Sequence, residues 1–112
     1  MTAKNCIFCQ IVEGKAKSKI IAQNGGAIAI NDINPVAKVH VLIIPKKHID
    51  SVLTIKQGEG EVLAKMMEIA QKMVKELNLE AFRLTFNGGK FQHVSHVHLH
   101  LLAGGKIDWA RL

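Results

Sequence analysis

The sequence predicts an α+β domain: a mainly antiparallel five-stranded sheet with one long helix and a short N-terminal helix. Three observations carry this. Short β-rich runs are broken by Gly, Pro and Asn; a single long stretch has helical amphipathicity; and 112 residues, 48% of them hydrophobic, can bury one continuous core but not two. Residues 1–112 are therefore expected to form one domain. No internal repeat, linker or low-complexity segment interrupts them.

Cys6 to Gly14 reads as a loop opening into a short helix, because Ile7, Phe8, Ile11 and Val12 share a face at helical spacing and Gly14 suits its end. Ile20-Ile21-Ala22 and Ala27-Ile28-Ala29-Ile30 form a hairpin across Asn24-Gly25-Gly26, whose residues tolerate positive φ. Asn31-Asp32-Ile33-Asn34-Pro35 is a turn, since Asn and Asp side chains favour local hydrogen bonds and Pro35 has no N–H. His40 to Ile44 is a buried strand stopped by Pro45. After a loop around Lys56 to Gly60, Glu61 to Leu77 forms the long helix. Its apolar stripe is Leu63, Met66, Met67, Ala70, Met73, Val74 and Leu77, with Lys65, Glu68, Lys72 and Lys75 opposite, so the methionines read as core. Phe82 to Phe86 and Val94 to Leu102 are the last two strands, joined by Asn87-Gly88-Gly89-Lys90-Phe91-Gln92-His93.

Charge and composition limit the function classes. A net charge of +6 would suit a polyanion, yet the 15 basic residues are scattered lysines with only Arg83 and Arg111 as arginines, and aromatics make up 4%. Neither bidentate base readout nor a stacking platform is evident, which argues against nucleic-acid binding. Apolar runs fall far short of the roughly 18 residues a membrane helix needs, so no membrane span is expected. Met1-Thr2-Ala3-Lys4-Asn5 lacks a secretory pattern, and two cysteines are too few for a disulfide scaffold; the expected setting is cytoplasmic.

The chemistry is concentrated in His96-Val97-His98-Leu99-His100-Leu101-Leu102, where histidine alternates with aliphatic residues at the period of a strand, placing all three imidazoles on one face. Six histidines in 112 residues give on the order of 0.02 such rows by chance. Val97, Leu99 and Leu101 explain burial on the opposite face and leave the imidazole row needing its own reason. Clustered imidazoles repel when protonated and gain from an anion or metal between them. A neutral imidazole can also attack phosphorus, forming a labile phosphoramidate that water cleaves.

His96 to Leu102 resembles the signature of the histidine triad family, His-x-His-x-His followed by two apolar residues. Similarity to the Hint-like branch extends to Ile7 through Val12, Asn31 through Pro35 and His40 through Ile49, and to the positions of Asn87, Gln92 and Trp109. The resemblance implies the histidine-triad fold and a nucleotide hydrolase that cleaves purine nucleoside monophosphate derivatives, such as phosphoramidates, through a nucleotidyl-histidine intermediate. Dinucleoside polyphosphate hydrolysis, nucleotidyl transfer and non-catalytic nucleotide binding remain alternatives. His98 becomes the nucleophile, His96 helps to orient it, and His100 and His40 flank the phosphate and the nucleophile. Asp32 would bind the ribose hydroxyls, although by itself it reads as a turn former. Ile33 would pack near the base, and Asn87 and Gln92 would contact the phosphate. His93 stands where the family usually has Ser or Thr; it either donates a proton to the leaving group or is an exposed loop residue. The resemblance further implies a homodimer built through the long helix and the strand carrying Arg83, with Trp109 near the partner's nucleotide site.

Cys6-Ile7-Phe8-Cys9 has a spacing used by redox disulfides and by zinc. Two cysteines do not complete a zinc shell, and only five residues precede Cys6, too few for the strand of a thioredoxin-like unit. Resemblance to bacterial family members with a C-x-x-C implies that His48 and His96 complete a structural zinc site with Cys6 and Cys9.

Overall fold

The computed structural model describes residues 5–112, so the reading of Met1 to Lys4 lies outside the described residues. The elements follow one another as α1 (Ile7–Val12), β1 (Ile20–Gln23), β2 (Ala27–Asn31), β3 (Val39–Pro45), α2 (Gly60–Glu76), β4 (Arg83–Phe86) and β5 (Leu99–Ala103). The five strands make one antiparallel sheet in the order β1-β2-β3-β5-β4. Among the described residues no helix is long and apolar enough to cross a membrane.

Strand alternation sorts side chains onto two faces. Ala27, Ala29, Val41, Ile43, Val97, Leu99 and Leu101 meet Met66, Ile69, Ala70 and Met73 of α2. Ile28, Ile30, Leu42 and Ile44 point the other way, against Cys6, Phe8, Cys9 and Ile11 of the α1 segment. Each fully buried aliphatic side chain contributes about 1.5–3 kcal/mol by leaving water. The even-numbered histidines therefore lie on the α1 side.

Four local expectations are corrected. The core stripe of α2 is Met66-Ile69-Ala70-Met73, an i, i+3, i+4, i+7 set, whereas Met67 and Leu77 are exposed. Met67 is one residue from Met66, about 100° round the helix, and cannot share its line of burial. The β1–β2 hairpin forms without positive φ at Gly25 or Gly26. Asn24 holds the turn by accepting from the Gly26 and Ala27 N–H groups and donating to the Lys65 carbonyl. Gly26 is needed for space, since a Cβ there would meet the Lys65 side chain at 2.7 Å. Asn31, expected to have left the strand, is the last residue of β2 and pairs with Val41.

The fourth correction bears on the site. The last strand was expected from Val94, but its ladder begins at Leu99. Pro45 ends β3 and offers no N–H to extend the pairing. The backbone before Leu99 instead turns to the 46–56 loop, where the Val97 N–H donates to the Ile49 carbonyl at 2.7 Å. That loop is tied down by Glu59, a buried carboxylate bonded to Lys47 Nζ at 2.8 Å and to the Lys56 N–H at 2.7 Å.

Candidate active site and metal centre

Five of the six histidines fall into two groups on the α1 side of the sheet. His40 in β3 stands opposite Leu102, and His100 in β5 stands opposite Leu42, so the two imidazoles are diagonal neighbours. His40 Nε2 lies 2.9 Å from His100 Nδ1 and 3.3 Å from Asp32 Oδ2. His98 packs beside His100 with ring centroids 4.9 Å apart. Phe8 meets His98 edge-on at 5.0 Å and His96 at 5.9 Å.

Backbone partners settle where the protons sit. The His96 carbonyl can only accept, so at 2.8 Å His98 Nδ1 carries the hydrogen and Nε2 keeps its lone pair. The Val36 N–H donates to His40 Nδ1 at 3.1 Å, so the proton of neutral His40 is on Nε2 and is given to His100 Nδ1. The proton of His100 is then on Nε2. This arrangement excludes a metal from Asp32, His40 and His100, although their ligand atoms lie within 4.8 Å of one another, because His40 Nε2 has no free lone pair. Burial lowers the basicity of all three imidazoles. His100 is pushed down to about 4 by desolvation and then by His98 and His40; His98 and His40 are lowered chiefly by desolvation, with Asp32 opposing. All three are neutral at pH 7.

His40, His98 and His100 line a cavity of about 470 Å³, with Phe8 and Ile11 on an apolar wall and Asp32 on the rim. Ile33, 91% exposed, and His93 also line it. Asp32 already accepts the Asn34 N–H at 2.8 Å in a local turn and presents its other oxygen to His40. Asn87 and Gln92 are not among its lining residues. The Asn87 amide stands 3.5 Å from His100 Nε2, at the end of the imidazole chain, and Gln92 donates to the Asp50 and Val94 carbonyls. Trp109 lies under the Arg83 guanidinium, 5.6 Å from its carbon.

The second group is Cys6, Cys9, His48 and His96, whose ligand atoms all lie within 4.8 Å of one another and could hold a metal ion. His96 Nε2–H donates to the Pro45 carbonyl at 2.9 Å, and His48 Nε2–H to Asp50 at 2.7 Å. Both Nδ1 lone pairs therefore face inward, 3.1 Å apart, with no hydrogen between them. Their distances to sulfur are 3.1 Å from His48 to Cys9, and 3.3 Å and 3.5 Å from His96 to Cys6 and Cys9. A tetrahedral ion with metal–sulfur bonds of about 2.3 Å and metal–nitrogen bonds of about 2.05 Å needs edges of about 3.6 Å and 3.3 Å. The donor set thus fits such an ion in identity and spacing. Cys6 also caps α1, accepting the Cys9 N–H at 3.3 Å.

Sequence reasoning placed the histidines but gave no role to Val36, Pro45, Asp50 or Phe8. The backbone of Val36 and Pro45 leaves no residue-type signal. Asp50 was findable two residues after His48, and Phe8 inside the C-x-x-C.

The family described as "Scavenger mRNA decapping enzyme C-term binding" matches residues 5–108. An uncharacterized HIT-like protein of Buchnera aphidicola is 36% identical over 106 residues, covering 91% of this chain and 95% of that one. A histidine triad protein of Clostridium difficile superposes with a TM-score of 0.89 at 37% identity over 96% of both chains. A HIT family hydrolase of Legionella pneumophila gives 0.86 at 36% identity, covering 96% and 100%. A histidine triad nucleotide-binding protein of Candida albicans gives 0.77 at 32% identity, covering 87% and 73%. Carrying the histidine row on the α1 side of its sheet, and matched along nearly its whole length, the chain belongs to the histidine triad family.

Proposed function

We propose that this protein hydrolyses purine nucleoside monophosphate derivatives, nucleoside phosphoramidates foremost, through a covalent nucleotidyl-His98, with residues 1–112 acting as one catalytic domain. The observation that carries this reading is the bare Nε2 of neutral, buried His98, fixed by its Nδ1–H bond to the His96 carbonyl in a cavity that Asp32 also lines. Nε2 attacks phosphorus as the bond to the leaving nitrogen breaks, and that nitrogen departs with a proton supplied from the open side of the cavity, where His93 is exposed. Water then cleaves the phosphorus–Nε2 bond, releasing the monophosphate and returning the neutral imidazole. His100 Nε2–H, backed by His40, supplies hydrogen bonding to the phosphoryl oxygens as charge shifts. The ribose is assigned to Asp32, the base to Ile33 and the apolar wall, and phosphate contacts to Asn87 and Gln92 once their present partners are exchanged. Relatives named as a HIT family hydrolase and as a nucleotide-binding protein support the reading.

Cys6, Cys9, His48 and His96 would hold structural zinc, which ties α1 to the end of β3 and the residues before β5. A homodimer through α2 and the exposed edge of β4 is part of the same reading; Phe82, Leu84 and Phe86 are each more than one-third exposed there. The setting proposed is cytoplasmic. The deciding experiment incubates the protein with adenosine 5′-phosphoramidate and follows AMP release and intact mass. AMP with a transient nucleotidyl adduct supports the mechanism, and tight AMP binding without turnover overturns it. Light scattering that finds only monomer at micromolar concentration rules out the dimer.

A further inference from the structure

A second cavity, of about 520 Å³, adjoins the one at His98. Asn5, Asp50, Ser95 and the metal-site residues Cys6 and His48 line it, and Ile7, His93 and Val94 line both cavities. The two spaces therefore meet at these three side chains. In an in-line displacement the leaving group exits on the far side of phosphorus from the attacking nitrogen. With the nucleoside placed toward Asp32 and Ile33, the second cavity is a lined space that borders the one holding His98.

Its chemistry selects among leaving groups. Ile7 and Val94 offer aliphatic contact at the shared wall. Beyond them, Asp50 is the charged carboxylate, and no Lys or Arg is among the described residues lining the cavity. One Asp50 oxygen accepts His48 Nε2–H, and the side chain is 68% exposed, so the charge remains open to a ligand. A pyrophosphate-type leaving group would set its anions against this carboxylate. An alkyl amine bearing a second ammonium group matches both halves.

We propose that this cavity is the leaving-group subsite, and that it takes amines whose alkyl stem passes Ile7 and Val94 and whose distal ammonium meets Asp50. The proposal rests on the phosphoryl-transfer reading above. No new bond chemistry is involved: the phosphorus–nitrogen bond breaks as the phosphorus–His98 bond forms, and the diamine leaves from this subsite.

Two adenosine 5′-phosphoramidates test it, one of n-pentylamine and one of 1,4-diaminobutane, which differ in a terminal methyl against an ammonium. The wild type should favour the diamine compound in kcat/KM by about three- to fivefold at low salt, the scale of one solvent-exposed ion pair. Raising NaCl to about 0.5 M should erase the preference by screening. In Asp50→Asn, which keeps an acceptor for His48, the ratio should fall to about one; because it is a ratio within one preparation, a general loss of activity cancels. Turnover of both compounds by the wild type without preference overturns the subsite alone, as does a preference that survives high salt or persists in Asp50→Asn. Failure to turn over either compound overturns the phosphoryl-transfer reading, and the subsite with it. If Asp50→Asn does not fold, the wild-type salt series decides.

Discussion

The two histidine groups stand side by side on one segment and solve opposite problems. Around His96 and His48 the outer nitrogens are committed to the Pro45 carbonyl and the Asp50 carboxylate, so lone pairs converge with two sulfurs on one point. Around His98, His100 and His40 each proton is handed along, from the Val36 N–H to His40 and from His40 to His100, and the bare nitrogen left over is His98 Nε2. Converging lone pairs call for a cation, whereas a single free lone pair beside aligned donors suits attack on an anion's phosphorus. The same side chain takes either role according to the backbone group that holds its other nitrogen.

The sharpest way to break this contrast is His98→Ala. Turnover should fall by roughly 10⁴-fold or more, as when a nucleophile is lost, with nucleotide affinity and melting temperature nearly unchanged. AMP release near the wild-type rate would transfer the attack to water. Next come His100→Ala and His40→Ala, which remove donors rather than the attacking atom; each should slow turnover by about 10²–10³-fold while an acid-labile adduct on the His98 peptide still accumulates on quenching. Absence of that adduct in His100→Ala would mean the donor chain is needed for attack itself.

For the other group the readout is stability. Metal analysis should find about one zinc per chain, and chelation or Cys9→Ser should lower the melting temperature, because binding a structural ion is linked to folding. Zinc-free protein with the same melting temperature would remove the metal from the account.

The smallest effect expected is the pH dependence, which sharpens the proton assignments. His100 protonates in the unfolded chain near 6.5 and in the folded protein at about 4, so below 6.5 the unfolded state binds more protons. Its contribution to stability is complete above pH 6.5 and is lost as the pH falls from 6.5 toward 4. The acid limb of kcat should likewise lie below 6.5, since burial keeps His98 neutral there. Denaturant midpoints that do not change between pH 7 and pH 5 would contradict the buried neutral cluster.

Much of the fold was legible because its signals are local. Short β-rich runs bounded by Gly, Pro and Asn marked β1, β2, β3 and β4, and Gly14, at φ +77, ends α1 where expected. The errors arose where a distant residue overruled a local one. Gly26 answers to Lys65 across the hairpin–helix contact, and Val94 to His98 leave the strand pattern where the Val97 N–H goes to the Ile49 carbonyl and the His96 N–H to the Val94 carbonyl. The line of burial on α2 depended on how the helix lies on the sheet, which Met67 alone could not reveal.

The order of residues alone established that three imidazoles alternate with core residues, that two cysteines stand at a spacing shared by redox disulfides and metal sites, and that a sheet with one long helix would carry them. Which nitrogen of each histidine carries its proton came from three-dimensional packing. Pro45 holds His96 across 51 positions and His40 meets His100 across 60, and those pairs form only when β5 enters the sheet between β3 and β4, whereas Val36 and Asp50 serve histidines four and two positions away. A hydrogen bond to backbone can be supplied by any residue type, so no pattern of letters records it.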